Sequence, residues 1–202
     1  MAKERFVESY RGARPEDLPW YDPDPDPDLL VLFDEVLPAS GARVLDLGAG
    51  PAVHSIELAA RGHRVVAIDG VAEARDMALT LAARRGVTLD YRVGDALHDG
   101  PEGPFDLVFD RGFLHTLEPA ERRTWRAAVT RSLVRGGALI LKCFDVRPPR
   151  DFGPPGLTAR DVLHALGEPV MGGLALELLR RTAFGLNEAK DHAAWTVFAR
   201  RL

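Results

Sequence analysis

The sequence predicts an α/β protein: a three-layer sandwich with a mostly parallel seven-stranded sheet and an antiparallel strand at its C-terminal end. Three observations carry this. From Val44 onward, short apolar runs alternate with amphipathic stretches, as expected when helices cover both faces of a parallel sheet. Glycines close several of the helical stretches. The tail instead holds two apolar runs joined by a short polar link, which permits an antiparallel pair but no parallel crossover.

The elements follow in order. Residues 1–28 are polar and carry Trp20 and Tyr21; they are expected to form a lid or substrate segment ahead of a domain spanning residues 29–202. The run Asp22-Pro-Asp-Pro-Asp-Pro-Asp28 forces extended backbone and removes amide donors, so it is not helix interior. Leu29, Leu30, Leu32, Phe33, Val36 and Leu37 repeat at helical spacing, with Asp28 or a neighbour as cap and Pro38 and Gly41 as the stop. Strands are expected at 44–47, 65–68, 89–93, 105–109 and 138–141. Helices are expected at 54–61, 72–85 and 119–134, the last stopped by Gly136-Gly137. Thr158 can cap a helix running to Leu166, and 174–179 and 195–199 read as the two tail strands, linked through 185–191.

At 202 residues the chain is one domain of ordinary size. Its net charge of −4 gives no general attraction to nucleic acid or to an anionic membrane. Only three of its 26 basic residues are lysines, and the arginines are spread along the chain. The single cysteine, Cys143, excludes an internal disulfide and any multi-cysteine metal site. The N-terminus lacks an apolar core of signal-peptide length, and no segment reaches the roughly 18 apolar residues of a membrane span. The expected location is the cytoplasm.

Four motifs place chemistry at strand ends, where open α/β sheets bind ligands. In Val44-Leu-Asp-Leu-Gly-Ala-Gly50 the turn lets a ligand approach the backbone of Gly48 and Gly50 closely. Asp46, just before it, suits an ammonium and repels a pyrophosphate; the alternative is a carboxylate capping a tight turn. In Val65-Val-Ala-Ile-Asp69-Gly70 the acid follows the glycine turn by about 20 residues, the spacing for bidentate hydrogen bonding to ribose hydroxyls. In Val93-Gly-Asp95-Ala96 the carboxylate can accept from an adenine amino group, and the next amide can serve a ring nitrogen. Phe105 to His115 then delivers Asp110, Arg111 and His115 to the same cleft. His115 can orient a nucleophile or accept its proton, or simply cap the following helix; Arg111 can pair with Asp110 or with an anionic substrate. Three acids at three successive strand ends fit S-adenosyl-L-methionine (SAM), which carries an ammonium and no phosphate.

These residues resemble the class I, Rossmann-like SAM-dependent methyltransferases, over the chain from about Trp20 onward. Within that superfamily, Phe109-Asp-Arg-Gly-Phe-Leu-His115 is similar to the Asp-Arg-Gly-x-x-His signature of thiopurine and thiol methyltransferases. Trp20-Tyr21-Asp22 resembles their N-terminal aromatic motif, which lies over the cofactor. Cys143-Phe-Asp145, Phe152-Gly-Pro154 and Thr158 resemble their substrate-side loop, and Ala194 to Arg200 their last strand. The resemblance implies that Asp46, Gly48 and Gly50 hold the methionine part, Asp69 with Gly70 the ribose, and Asp95 with Ala96 the adenine. It places Asp110 beside the transferring methyl and Trp20 over the cofactor. Two departures stand out: Pro51-Ala52-Val53 replaces the turn's usual third glycine, and the Asp-Pro run follows the aromatic motif.

Methyl transfer from a sulfonium is a direct displacement, accelerated mostly by holding the nucleophile in line at about 3–3.5 Å. A base is required only for an acceptor that is protonated at working pH, and a thiol of pKa ~8.5 is partly ionised already. The expected acceptor is therefore a small thiol or other soft nucleophile, with O- or N-methylation of a small natural product as the alternative. Tyr21, Phe113, Phe144 and Phe152, with Trp20, are the expected apolar walls; Arg111 and His115 are the polar substrate contacts, and His115 and Asp110 the catalytic pair. Two rivals remain. An NAD-dependent oxidoreductase explains Asp69 and the glycines but not Asp46 or Asp95. A non-catalytic SAM-binding protein would show the same cofactor residues and a blocked acceptor pocket.

Overall fold

The computed structural model describes residues 2–101, 103–147, 153–184 and 192–202. Its strands are β1 (Arg43–Leu47), β2 (Arg64–Asp69), β3 (Asp90–Val93), β4 (Phe105–Arg111), β5 (Leu133–Phe144), β6 (Leu174–Phe184) and β7 (His192–Arg201). Its helices are α1 (Ala2–Tyr10), α2 (Pro27–Val36), α3 (Val53–Ala60), α4 (Ala72–Arg85), α5 (Arg122–Ser132) and α6 (Ala159–Leu166). The strands form one sheet in the order β3-β2-β1-β4-β5-β7-β6. β7 runs antiparallel to both its neighbours, while β1 to β5 pair in parallel. The order reverses between β1 and β4, so a crevice opens there at the carboxyl edge.

Alternation along the strands builds two cores. Leu45 of β1 and Val108 of β4 pack toward Trp125 and Val129 of α5 and Val162 of α6. Val44, Leu107 and Phe109 pack toward Leu32 and Phe33 of α2, Ile56 of α3 and Ala78 of α4. Alternation therefore sends the strand-end acids to different faces: Asp46 shares the face of Val44, and Asp110 that of Val108.

Local sequence explains the helix limits. Asp26 caps α2 by accepting from the Asp28 amide, and Pro27 takes the first helical position, where its missing N–H costs nothing. Ala74, Ala78 and Ala82 form the buried stripe of α4, and Gly86, in left-handed backbone, ends it. Thr158 and Asp161 form the capping box of α6.

The structure departs from expectation at the N-terminus, in α5 and in the tail strands. Residues 2–10 form a helix whose Phe6, Val7 and Tyr10 pack with Val71, Ala74 and Met77 at the start of α4. α5 is shorter than 119–134, because Leu133 and Val134 already belong to β5, which continues through Gly136-Gly137. The tail strands extend to Phe184 and from His192. The link at 185–191 lies outside the described residues, as does Phe152.

Candidate active site

The glycine turn between β1 and α3 is built by backbone conformation. Gly48 and Gly50 have φ of +66° and +53°, and Ala52 adopts +58° in the stretch that replaces the turn's usual third glycine. The Gly48 and Ala49 amides donate to the Ile68 carbonyl at 2.9 and 3.1 Å. A β-carbon on Gly48 would fall 2.7 Å from Cβ of Phe113, and one on Gly50 would fall 2.9 Å from the Tyr10 hydroxyl. The turn's bare backbone is thus faced by Phe113 on one side and by the N-terminal segment on the other.

Asp46 is buried at the end of β1, and its Oδ2 accepts from Ser55 Oγ at 2.6 Å. Burial pushes its pKa up to about 7 against the opposing Ser55 hydrogen bond, and the nearby charges of Asp110 and Asp69 push the same way. Asp69 ties two turns together: Oδ2 accepts from the Gly50 amide and Oδ1 from the Val71 amide, each at 3.0 Å. Gly70 lies half-buried inside the second of those turns. Asp95 is exposed after β3, where it accepts from the Leu97 amide at 2.8 Å and meets His98 Nδ1 at 2.9 Å. Ala96 beside it is buried. Asp46, Asp69 and Asp95 therefore occupy the carboxyl ends of β1, β2 and β3 in sheet order.

Asp110 turns the other way. It is fully buried on the α5 face and accepts from the Phe113 amide at 2.9 Å, the Leu114 amide at 3.1 Å and Trp125 Nε1 at 2.8 Å. Burial pushes its pKa up to about 7, opposed by those hydrogen bonds. Its protein partners make it shape the turn from Gly112 to Thr116.

That turn places the groups expected on the acceptor side. His115 is buried, its ring stacked on Phe144 with centroids 4.5 Å apart and planes 13° apart. Its Nδ1 accepts from the Phe144 amide at 2.9 Å. The neutral ring therefore carries its hydrogen on Nε2, so the lone pair that a base needs is committed to the backbone. Phe184, at the end of β6, lies 4.7 Å from Phe144 and 5.9 Å from His115. The Arg111 guanidinium lies over Phe184 at 4.3 Å, and its Nη1 reaches the Trp20 carbonyl at 3.5 Å.

The N-terminal aromatics both pack on the cluster between α1 and α4, Trp20 partly buried and Tyr21 buried. Trp20 donates from Nε1 to the Tyr10 hydroxyl at 3.1 Å, beside Gly50. Tyr21, expected as a substrate wall, is instead buried with Leu18, Val71 and Ala74. The Asp-Pro run crosses the carboxyl edge as a pinned strap. The Asp26 amide donates to Nε2 of buried His54 at 3.0 Å, and its carboxylate pairs with the buried Lys142 of β5. Asp28 pairs with Arg180 of β6 at 3.3 Å.

Sequence reasoning missed Tyr10, Ser55, Lys142 and Phe184. Lys142 did carry a signal, since a lysine inside an apolar strand demands a carboxylate partner. The others announce themselves only through the fold.

Comparison with known proteins agrees with this geometry. Residues 44–137, which span the three strand-end acids and the Asp110–His115 turn, match the model of a methyltransferase domain family. The chain is 32% identical over 175 residues to the 2-heptyl-1-hydroxyquinolin-4(1H)-one methyltransferase of Mycobacteroides abscessus, covering 83% of this chain and 72% of that one. It is 36% identical over 140 residues to the cypemycin N-terminal methyltransferase of a Streptomyces species, covering 66% and 54%. Among solved structures it superposes with a TM-score of 0.84 and 25% identity on one described for the conversion of a disulfide bond into a thioacetal group during echinomycin biosynthesis, covering 100% of this chain and 92% of that one. With the acids, the glycine turn and these relatives in agreement, the chain belongs to the class I SAM-dependent methyltransferases.

Proposed function

We propose that this enzyme methylates a heteroatom on a small, flat aromatic acceptor. The observation that carries the reading is the wall of His115, Phe144 and Phe184, which stands beside the glycine turn through Phe113. Stacked rings of this kind favour planar ligands. The relative in Mycobacteroides abscessus is named for a hydroxyquinolinone, which is such a molecule. Sulfur as the accepting atom is the second reading. It is supported by the resemblance of residues 109–115 to thiol methyltransferases and by the sulfur chemistry named for the structure of TM-score 0.84.

The residues present fit the cofactor, which supplies a methyl group on a sulfonium. Asp46 is a buried acid poised between its two charge states, and the cation it suits is the methionine ammonium. Ser55 orients it. Asp69, aimed by the Gly50 and Val71 amides that its two oxygens accept, serves the ribose hydroxyls beside Gly70. Asp95 and the Ala96 amide take the adenine edge. Gly48 and Gly50 give the close backbone approach, and Trp20 with Tyr10 covers it. Asp110 acts as a positioning residue through the turn that carries Arg111, Phe113 and His115.

The test begins with thermal unfolding in the presence of S-adenosylhomocysteine (SAH), which at a hundredfold excess over Kd contributes about 2.7 kcal/mol of stability. The SAM-loaded enzyme is then offered aromatic thiols, hydroxyls and amines that share one ring system, with methylated product read by mass. Turnover of the aromatic set above matched aliphatic acceptors is expected. Preference for the aliphatic set overturns the flat-acceptor reading.

A further inference from the structure

Resting on the reading that the turn from Gly48 to Gly50 receives the methionine part of the cofactor, we infer that Tyr91 is a positioning residue for that site. Its hydroxyl holds the turn, from the edge of the sheet, in the shape that the cofactor needs. Of the four residues of β3, Tyr91 alone is buried. Its ring lies in the cluster that holds Ala52 of the turn and Ala78 and Ala82 of α4. An apolar side chain would serve that packing. The hydroxyl is extra, and a buried hydroxyl costs free energy unless it is bonded. Here it donates to the Gly50 carbonyl at 2.8 Å. Burial raises its pKa, and Asp69, Tyr10 and Asp46 push the same way, so the oxygen keeps the hydrogen it donates.

Gly50 is also held from its other side, because its amide donates to Asp69 Oδ2 at 3.0 Å. One buried glycine at the tip of the turn is thus gripped by β2 through its N–H and by β3 through its C=O. The local sequence explains why this turn requires such a grip. Pro51 brings no amide hydrogen of its own. Ala52 sits at φ +58°, a left-handed conformation that costs energy for any residue with a β-carbon. A glycine there would take the shape freely, whereas Pro51-Ala52 takes it under restraint. The Tyr91 hydroxyl supplies that restraint on the carbonyl immediately before Pro51. It acts through Gly50 and not by touching the reacting atoms.

Tyr91→Phe removes the hydroxyl and keeps the ring. By calorimetry the Kd for SAH should rise about fivefold or more, the worth of one hydrogen bond. 5′-Methylthioadenosine, which has the nucleoside and lacks the amino-acid end, should bind the variant and the unmodified enzyme equally well. In nitrogen-15-glycine-labelled protein the Gly50 amide should move and exchange faster in the variant, while Gly86 and Gly167 stay as they were. Unchanged SAH affinity overturns the inference. So does an equal loss for both ligands, which would make Tyr91 a support of the fold as a whole. A second measurement needs no variant: in the unmodified enzyme SAH should shift the Gly50 resonance further than 5′-methylthioadenosine does. A Gly50 resonance that SAH leaves in place puts the methionine part elsewhere and removes Tyr91 from its binding. Failure of SAH to bind the unmodified chain brings down the cofactor reading itself.

Discussion

Asp46 and Asp110 are the same residue type, both buried at strand ends with pKa values pushed up to about 7, yet they lie on opposite faces of the sheet. Their asparagine variants should therefore behave in opposite ways. Asp46 meets one hydroxyl in the protein, which an asparagine oxygen also accepts. Asp46→Asn is expected to leave stability at pH 8 unchanged or slightly raised, because it removes a charge that burial disfavours. The same change should weaken SAH binding by tenfold or more. Asp110 meets three N–H donors, and an amide nitrogen turned toward any of them leaves a buried donor unsatisfied. Asp110→Asn should cost about 2 kcal/mol or more in unfolding free energy. SAH affinity, corrected for folding, should change much less. Denaturant unfolding and calorimetry with SAH separate the two signatures. Equal effects of both variants on SAH affinity would place Asp110 in the binding site after all.

At the scale of elements, the strap from Asp22 to Asp28 fixes the N-terminal segment to the sheet. Lys142 and Asp26 are both buried, and the strap also binds His54 and Arg180. Lys142→Met leaves buried Asp26 without its cation and should cost about 3–5 kcal/mol, whereas Asp26→Asn leaves Lys142 its longer pair with Asp28 at 3.5 Å and should cost less. The double variant should recover part of this, which is the coupling that a double-mutant cycle measures. Additive losses would mean that the pair does not act as a unit. The strap also shows why some of the molecule was legible in the sequence and some was not. Alternating apolar runs are a local signal, and they placed every strand and the three acids at the ends of β1 to β3. Proline spacing gave the strap's extended backbone. What the strap touches depends on which strands lie beneath it, and that is set by sheet order. α1 was missed because its apolar face is only Phe6, Val7 and Tyr10, too short a stripe to read without α4 to pack against. Phe184 was missed because β6 carries no clean alternation beyond Leu179. The substrate role expected of Tyr21 rested on the aromatic pair it forms with Trp20, but Tyr21 is buried in the α1–α4 cluster, against which Trp20 also packs.

At the scale of the whole molecule, the buried carboxylates and the buried histidines oppose one another in pH. Asp46 and Asp110 have folded pKa values raised to about 7, so the stability they contribute is fully present below about pH 4 and is lost as pH rises through 7. Buried His54 and His63 have folded pKa values depressed by burial. A histidine held neutral in the fold has the reverse effect, gaining stability as pH rises through its unfolded value of about 6.5. The two sets offset each other between about pH 5 and 7, and the ligand-free enzyme should show a shallow stability profile there. On the proposed role of Asp46, SAH breaks this balance, because its ammonium would require that carboxylate ionised. Below Asp46's pKa of about 7 each molecule of SAH bound displaces about one proton, so affinity should fall by up to tenfold per pH unit toward acid and level off above 7. The difference in Tm with and without saturating SAH reads this directly, since contributions common to both states cancel. Asp46→Asn should flatten the difference profile while His54 and Asp110 remain. A profile that keeps its slope in that variant would assign the proton to another group and remove Asp46 from the ammonium site.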